Sequence, residues 1–478
     1  MARYKDYNQE QSFFQVIDPR RFKEDNSLLR VVDEFVEEHL PVEKFSLKIE
    51  NEEMGAAALD PRMMTKVLFY SIASGIRSYR SIEDHLRWDP SFMILSGQKV
   101  FDHSTLCRFI WRHKQALTDF FTLMVYILIE QGYMTKDFFG TDGTKIKGSA
   151  GKDFTGTIED FQRRSKKLEK KIEELLAKMG NDNPDPDKPE KVRNLQRKKE
   201  KIDRFLEQVK QNPTSIKPKE KINLTDPDAR IMKDKDTTYP GYNLQLSVDA
   251  NHFIASYGLF TCTADQPHLK QMIHKLQQQV QDPLTQTALL FDAGYYSGEN
   301  VLFLERENLN GYIPEGQAED GTKVFRTERT SIGSRDCKVQ SSDDPPVLVC
   351  PGEQSMVGKL YGRSTSKRIS YRFSPKKEKC EPCTLRQQCH GKRKTKLFEV
   401  EKITMDSYKA RMHMREKVAS EEGKTRRNQR FATGEHVNGE IKDRMGIRQF
   451  HHRTKNRLET ISALIAIGYN FRRLAAVS

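Results

Sequence analysis

Asp142 and Asp292 are the two residues whose surroundings point most directly to chemistry. Asp142 follows a strand-like run in Asp137-Phe-Phe-Gly-Thr-Asp142-Gly-Thr-Lys-Ile-Lys, with glycines where a strand would bend or stop. Asp292 ends Thr287-Ala-Leu-Leu-Phe-Asp292, a short apolar run of the kind a buried central strand shows. A carboxylate ending an apolar strand is costly unless it lies at the rim of the sheet, where water or a cation can solvate it. Two such ends in neighbouring strands would repel each other and would together suit a divalent cation. With a third carboxylate the site could hold two Mg²⁺ ions about 3.5–4 Å apart, able to activate a water or a 3′-hydroxyl and to stabilise the leaving oxygen of a phosphoryl transfer. Taken singly, each aspartate also reads as a turn residue, since Asp-Gly and Asp-Ala-Gly are ordinary turn sequences. Their joint position at two strand ends makes the metal reading competitive.

The third acid must come from the C-terminal region. Glu435 lies in Arg430-Phe-Ala-Thr-Gly-Glu435-His-Val-Asn-Gly-Glu-Ile-Lys442. Glu435 and Lys442 are two helical turns apart and so are expected on one face. A metal-holding carboxylate beside a phosphate-holding lysine is what nucleic-acid strand chemistry needs. The plainer alternative is a solvated surface pair.

Four of the seven cysteines cluster late in the chain: Cys350, then Cys380-x2-Cys383-x5-Cys389. Tetrahedral Zn²⁺ needs four soft ligands brought together by short turns, and Cys-x2-Cys with two further thiols meets that need, although Cys-x5-Cys is a looser half-site. Lys376, Lys377, Lys379 and Arg386 would stabilise the thiolates. Cys337 and His390 could substitute as ligands, and four unligated thiols are the alternative. Cys107 and Cys262 fall in apolar patterns and are expected in the core.

The elements that must carry these residues can be read from periodicity. Residues 1–136 read as a helical domain, with apolar spacing over Leu28 to Val36, Met63 to Ile72, Ser81 to Leu86 and Ser104 to Phe120. Asp60-Pro61 and Asp102 are start signals. Its arginines, Arg80 and Arg108 among them, suit either DNA binding or a solvated helical cap. Residues 137–156 open a sheet, and 157–213 interrupt it with two charged amphipathic helices joined by Gly180-Asn-Asp-Asn-Pro-Asp-Pro-Asp. Residues 214–314 resume the sheet: a hairpin turning at Asn251-His252, a helix from His268 to Val280, the strand before Asp292, a helix capped by Ser297, and a short strand at Gly311. Residues 315–400 are β-rich and carry the thiols. Residues 401–478 return to helix and carry Glu435.

The chain has 478 residues and a net charge of +14. From Tyr361 onward 29 Lys and Arg stand against 12 Asp and Glu, so the whole excess lies in the last quarter. A concentrated basic surface points first to nucleic acid. The longest apolar run, Phe120 to Ile129, is too short to span a bilayer and contains Thr122. The N-terminal stretch lacks the apolar core of a signal peptide, so a cytoplasmic location is expected. Seven cysteines do not make a disulfide scaffold in a chain this long.

In this order and spacing the motifs resemble the DDE transposases of bacterial insertion sequences. The resemblance rests on Asp60 to Glu83, Asp102 to Phe109, Gly140-Thr-Asp142-Gly-Thr, Asp226 to Arg230 with Gly241 to Gln245, Asp292 to Tyr295, and Arg430-x4-Glu435-x3-Gly439-x-Ile-Lys442. It implies an α/β chain with an RNase H-like, retroviral integrase-type mixed-sheet core, an N-terminal helical domain, a helical-hairpin insertion and a β-rich Cys-bearing insertion. It implies that Asp142, Asp292 and Glu435 are catalytic and hold two Mg²⁺, which Mn²⁺ could replace. Arg430, Lys442, Arg427, Arg80 and Arg108 would contact double-stranded DNA: terminal inverted repeats and target. A homodimer in the DNA complex and a nucleoid-associated location in the bacterial cytoplasm are expected. The chain departs from the family pattern at Arg427, where tyrosine is usual, at His436 for proline and at Asn438 for phenylalanine. The alternatives are a non-catalytic DNA-binding protein derived from such an enzyme and, with no RNA-specific module in its support, an RNA-directed nuclease.

Overall fold

A computed structural model of the chain describes residues 16–46, 58–177, 188–211, 220–234, 237–315, 332, 336–341, 345–361, 370–390, 396–401, 405 and 407–478. They form two compact units. One takes the described residues up to 124 together with 443–446 and 463–478; the other takes 125–442 and 447–462.

The first unit is helical. Asn26 caps Ser27–His39 by accepting from the Leu29 N–H, and Asp60 caps Pro61–Ala73 by accepting from the Arg62 N–H, with Pro61 in the first turn. Asp102 accepts from the N–H groups of Ser104 and Thr105 and starts His103–Arg112. The spacing from Ser104 to Phe120 predicts one helix, but the structure interrupts it at His113. That residue leaves helical geometry (φ −107°), and its buried ring packs against Phe45 and Phe109. Phe35, Phe69, Phe120 and Phe471 pack ring against ring with centroids 5.0 to 6.0 Å apart. Phe471 therefore brings residues 463–478 into this unit, whereas sequence order alone groups them with the core helices.

The second unit is built on a six-stranded mixed sheet. Its strands are β1 (Phe138–Lys147), β4 (Arg230–Asp234), β5 (Thr237–Asp249), β6 (Ile254–Phe260), β7 (Ala288–Phe291) and β8 (Gly311–Tyr312); β2 (Thr155–Gly156) and β3 (Ile222–Asn223) pair separately. The order runs β4-β5-β1-β7-β8, with β6 also on β5. β5 is antiparallel to β1, β4 and β6, and β7 is parallel to both β1 and β8. The parallel strands are fully buried, as their continuous apolar runs require. One difference concerns Asp142. The glycines of Gly140-Thr-Asp-Gly143 suggest that the strand stops, yet β1 runs through them to Lys147, because β5 pairs with it from Phe139 to Lys147. Asp142 is thus a mid-strand residue.

Two charged helices, Ile158–Ala177 and Lys188–Gln211, follow β2 and pack through Phe161 and Phe205, whose ring centroids are 5.3 Å apart. The loop between them lies outside the described residues. After β8 come two three-stranded sheets, Lys338–Ser341, Val347–Val349 and Ser355–Val357, then Lys359–Tyr361, Ser370–Phe373 and Phe398–Glu401. Cys337, Leu348, Met356, Tyr371, Phe373 and Phe398 form a common small core there. The helices Tyr408–Ala419, Glu421–Gly439 and Lys455–Val477 follow. Among the described residues, no helix is long and apolar enough to cross a membrane.

Candidate active site

The register of β1 and β7 places the two aspartates side by side. Thr141 is opposite Phe291 in this parallel pair, so Asp142 and Asp292 follow at the same level. Side chains alternate along a strand. Phe138, Gly140 and Asp142 therefore share a face with Ala288, Leu290 and Asp292, and Phe138, Ala288, Leu290 and Tyr312 form one buried cluster on it. Burial is the largest influence on both carboxyl groups and pushes each above the usual range. For Asp292 the next cause is the charge of Asp142, which raises it further.

The helix Glu421–Gly439 lies across β1 on this face, with Ser420 accepting from the Gly423 N–H at its start. Close approach is possible because both elements offer glycine. A Cβ on Gly434 would sit 3.1 Å from Asp142 Cβ, and one on Gly140 would sit 2.8 Å from Thr433 Oγ1. The Arg430 Nη1 lies 3.8 Å from Asp142 Oδ1. Asn438 donates from Nδ2 to Asp142 Oδ2 at 2.9 Å. Both lower the Asp142 value without cancelling the rise from burial.

The remaining expected residues are placed as follows. Glu435 is exposed, one residue past Gly434 and so about 100° around the helix from it. Arg427, Arg80 and Arg108 are exposed as well, and Arg108 donates to Thr105 Oγ1. Lys442 is half-buried. Its expected shared face with Glu435 assumes unbroken α-helix, but residues Glu440–Arg444 wind as π-helix, which changes the angle between them. Among the described residues, no group of three or more His, Cys, Asp or Glu is arranged as a metal site.

One residue with a place in this site was not singled out from the sequence. Asp265 lies on the opposite face of the sheet, where its Oδ1 accepts from Asn243 Nδ2 and Gln245 Nε2, each at 2.7 Å, and its Oδ2 is 3.5 Å from Lys145 Nζ. Its charge raises both Asp142 and Asp292. A signal was present in β5: Asn243, Gln245, Ser247 and Asp249 alternate with apolar residues, and all four are 0% exposed. A polar strand face that is buried needs partners, and here they are Asp265, Thr141, Thr135 and the Phe253 N–H.

Some of the late thiols lie near one another, although among the described residues no three of them are arranged as a metal site. Cys383 and Cys350 Sγ lie 2.9 and 3.7 Å from where a Cβ on Gly352 would be. The turn after Cys350 closes through the Glu353 N–H on the Cys350 carbonyl, and Cys383 donates its N–H to the Cys380 carbonyl. Burial raises Cys380 and then the nearby Cys350 and Cys383 raise it further; Cys389, raised first by burial, also feels all three. Burial pushes Cys337 up to about 12. The side chain of His390 lies outside the described residues. Cys262, expected in the core, is exposed, since it stands past the end of β6 in the turn leading to Asp265.

Two family models match the chain. A transposase DDE domain matches residues 349–475, which include Glu435, and a transposase domain (DUF772) matches residues 18–112. Asp142 and Asp292 lie outside both ranges. No curated protein matches.

Proposed function

We propose that the chain is an insertion-sequence DDE transposase that cuts DNA at the ends of its element and joins them to target DNA, using Asp142, Asp292 and Glu435. The observation that carries the proposal is the register that brings Asp142, in β1, level with Asp292, the residue just past β7, with both carboxyl groups raised by burial. The donor set suits a hard divalent cation, because two half-buried carboxylates that repel each other are relieved by one. Asp142 and Asp292 would hold Mg²⁺, with Glu435 as the further oxygen donor from the neighbouring helix. When bound, Mg²⁺ would polarise the scissile phosphate and lower the pKa of the attacking oxygen.

The chain's own residues supply positioning. Gly140 and Gly434 let the Glu435 helix approach the strand closely. Asn438 and Arg430 fix the Asp142 carboxylate and favour its charged form. Arg430, Lys442 and Arg427 would hold the DNA backbone near this helix, while Arg80 and Arg108 of the helical unit would hold the ends. The sheet order, with antiparallel β6, β5 and β1 followed by parallel β7 and β8, supports an RNase H-like core. The nearness of Cys350 and Cys383 beside Gly352, with Cys380 and Cys389 in the same segment, supports a structural Zn²⁺. Pairing of two ends calls for a dimer on DNA, and a DNA substrate places the protein at the bacterial nucleoid. The test is incubation of the protein with the element's end sequences and Mg²⁺, scored for cleaved and joined strands.

A further inference from the structure

The carboxylate of Asp265 lies against the backbone that follows each catalytic aspartate. A Cβ on Gly143, directly after Asp142, would sit 2.9 Å from Asp265 Oδ1. One on Gly294, two residues after Asp292, would sit 3.3 Å from Asp265 Oδ2. The two oxygens of one side chain thus fill the side-chain space of Gly143, within β1 directly after Asp142, and of Gly294, in the turn after Asp292. Asp265 is itself fixed by Asn243, Gln245 and Lys145. Gln245 in turn accepts from the hydroxyl of the buried Tyr295, the residue after Gly294, so the network returns to the Asp292 turn. The N–H of Gly294 donates to Asp292 Oδ1 at 2.8 Å, which makes the position of that glycine a determinant of where Asp292 points.

We propose that Asp265 is a positioning residue: its carboxylate brackets Gly143 and Gly294 and thereby sets the spacing of Asp142 and Asp292 for a divalent cation. The inference rests on the functional reading above. Groups that act one step behind metal ligands typically change cation affinity about 10–100-fold when removed. An Asp265→Asn side chain keeps the shape and one accepting oxygen for Asn243 and Gln245; Asp265→Ala keeps neither.

The experiment measures Mn²⁺ binding by electron paramagnetic resonance and, in parallel, the Mg²⁺ concentration that half-saturates end cleavage, in the full chain. Asp265→Ala is expected to weaken Mn²⁺ binding and raise the half-saturating Mg²⁺ by about tenfold or more. Asp265→Asn should recover both to within about threefold of the parent, and metal-free binding of end DNA should be unchanged in both. Unchanged Mn²⁺ affinity in Asp265→Ala would overturn the bracket, and so would Asp265→Asn as impaired as Asp265→Ala. If the parent protein itself neither bound Mn²⁺ nor cut the ends, the functional reading would have failed instead.

Discussion

The Asn438 side-chain amide reaches Asp142 Oδ2 at 2.9 Å, joining a C-terminal helix to a strand 296 residues earlier in the chain. This contact falls where the transposases that the sequence resembles have phenylalanine. It turns that departure into a hydrogen bond favouring the ionised form of Asp142, alongside Arg430. Loss of either group should therefore move the Asp142 carboxyl further up. Arg430→Gln and Asn438→Ala should each shift the acidic limb of the cleavage profile to higher pH, because the Asp142 carboxyl, the proposed cation ligand, then ionises later. A loss of about fivefold near neutral pH is expected from one hydrogen bond of about 1 kcal/mol. A pH–rate profile of each variant, at fixed Mg²⁺, checks this.

The metal-free protein should be more stable without the charges of Asp142 and Asp292. Burial, and for Asp292 also the neighbouring Asp142, holds both carboxyl groups above their unfolded values. The stability they contribute is full below the unfolded value and is lost as pH rises through the raised folded value. Near neutral pH, Asp142→Asn and Asp292→Asn should raise the melting temperature of the core in chelator by about 1–3 °C. The difference should vanish in acid. Differential scanning calorimetry at two pH values reads both effects.

Gly434 lies tightly against Asp142. An added Cβ would meet Asp142 Cβ at 3.1 Å, so Asp142 would have to give way by a few tenths of an ångström. Gly434→Ala should reduce cleavage by at least about tenfold, since small displacements of positioned groups are costly to catalysis. Its effect on melting should be small by comparison. A matched substitution at Gly439, where nothing lies within 4 Å of the added carbon, should leave cleavage nearly unchanged.

The four late thiols should bind one Zn²⁺ per chain. Metal analysis of protein purified without chelator should find it, and Cys383→Ser should lose it. The same variant should melt at a lower temperature, because the surrounding sheets have only a small core of their own. Equal zinc content in parent and Cys383→Ser protein would show that these thiols are not its ligands.

Much of this arrangement is legible in the sequence because local chemistry and tertiary structure agree. Asp60-Pro61, Asp102 and Ser297 cap helices as their types require, and the apolar run before Asp292 is a buried parallel strand. The sequence is less informative where long-range pairing overrides a local signal. Glycine at 140 and 143 suggests that the strand ends, but it is there because Thr433, Gln245 and Asp265 occupy the space of a side chain. Asp265 in Thr-Ala-Asp-Gln-Pro reads as a loop residue, and only the fold brings it under Gly143 and Gly294. The winding change at Glu440–Arg444 has no simple sequence mark, so the angle between Glu435 and Lys442 could not be read from spacing.

Joint action of Asp142, Asp292 and Glu435 in metal-dependent strand chemistry is the proposed function. It is tested most directly by cleavage and joining of labelled end DNA in Mg²⁺ by the parent protein, Asp142→Asn and Glu435→Gln. The parent should cut and join, and each variant should lose at least about a thousandfold in rate while binding the same DNA with unchanged affinity. Either variant cutting and joining at the parent rate would show that its carboxylate takes no part in the reaction.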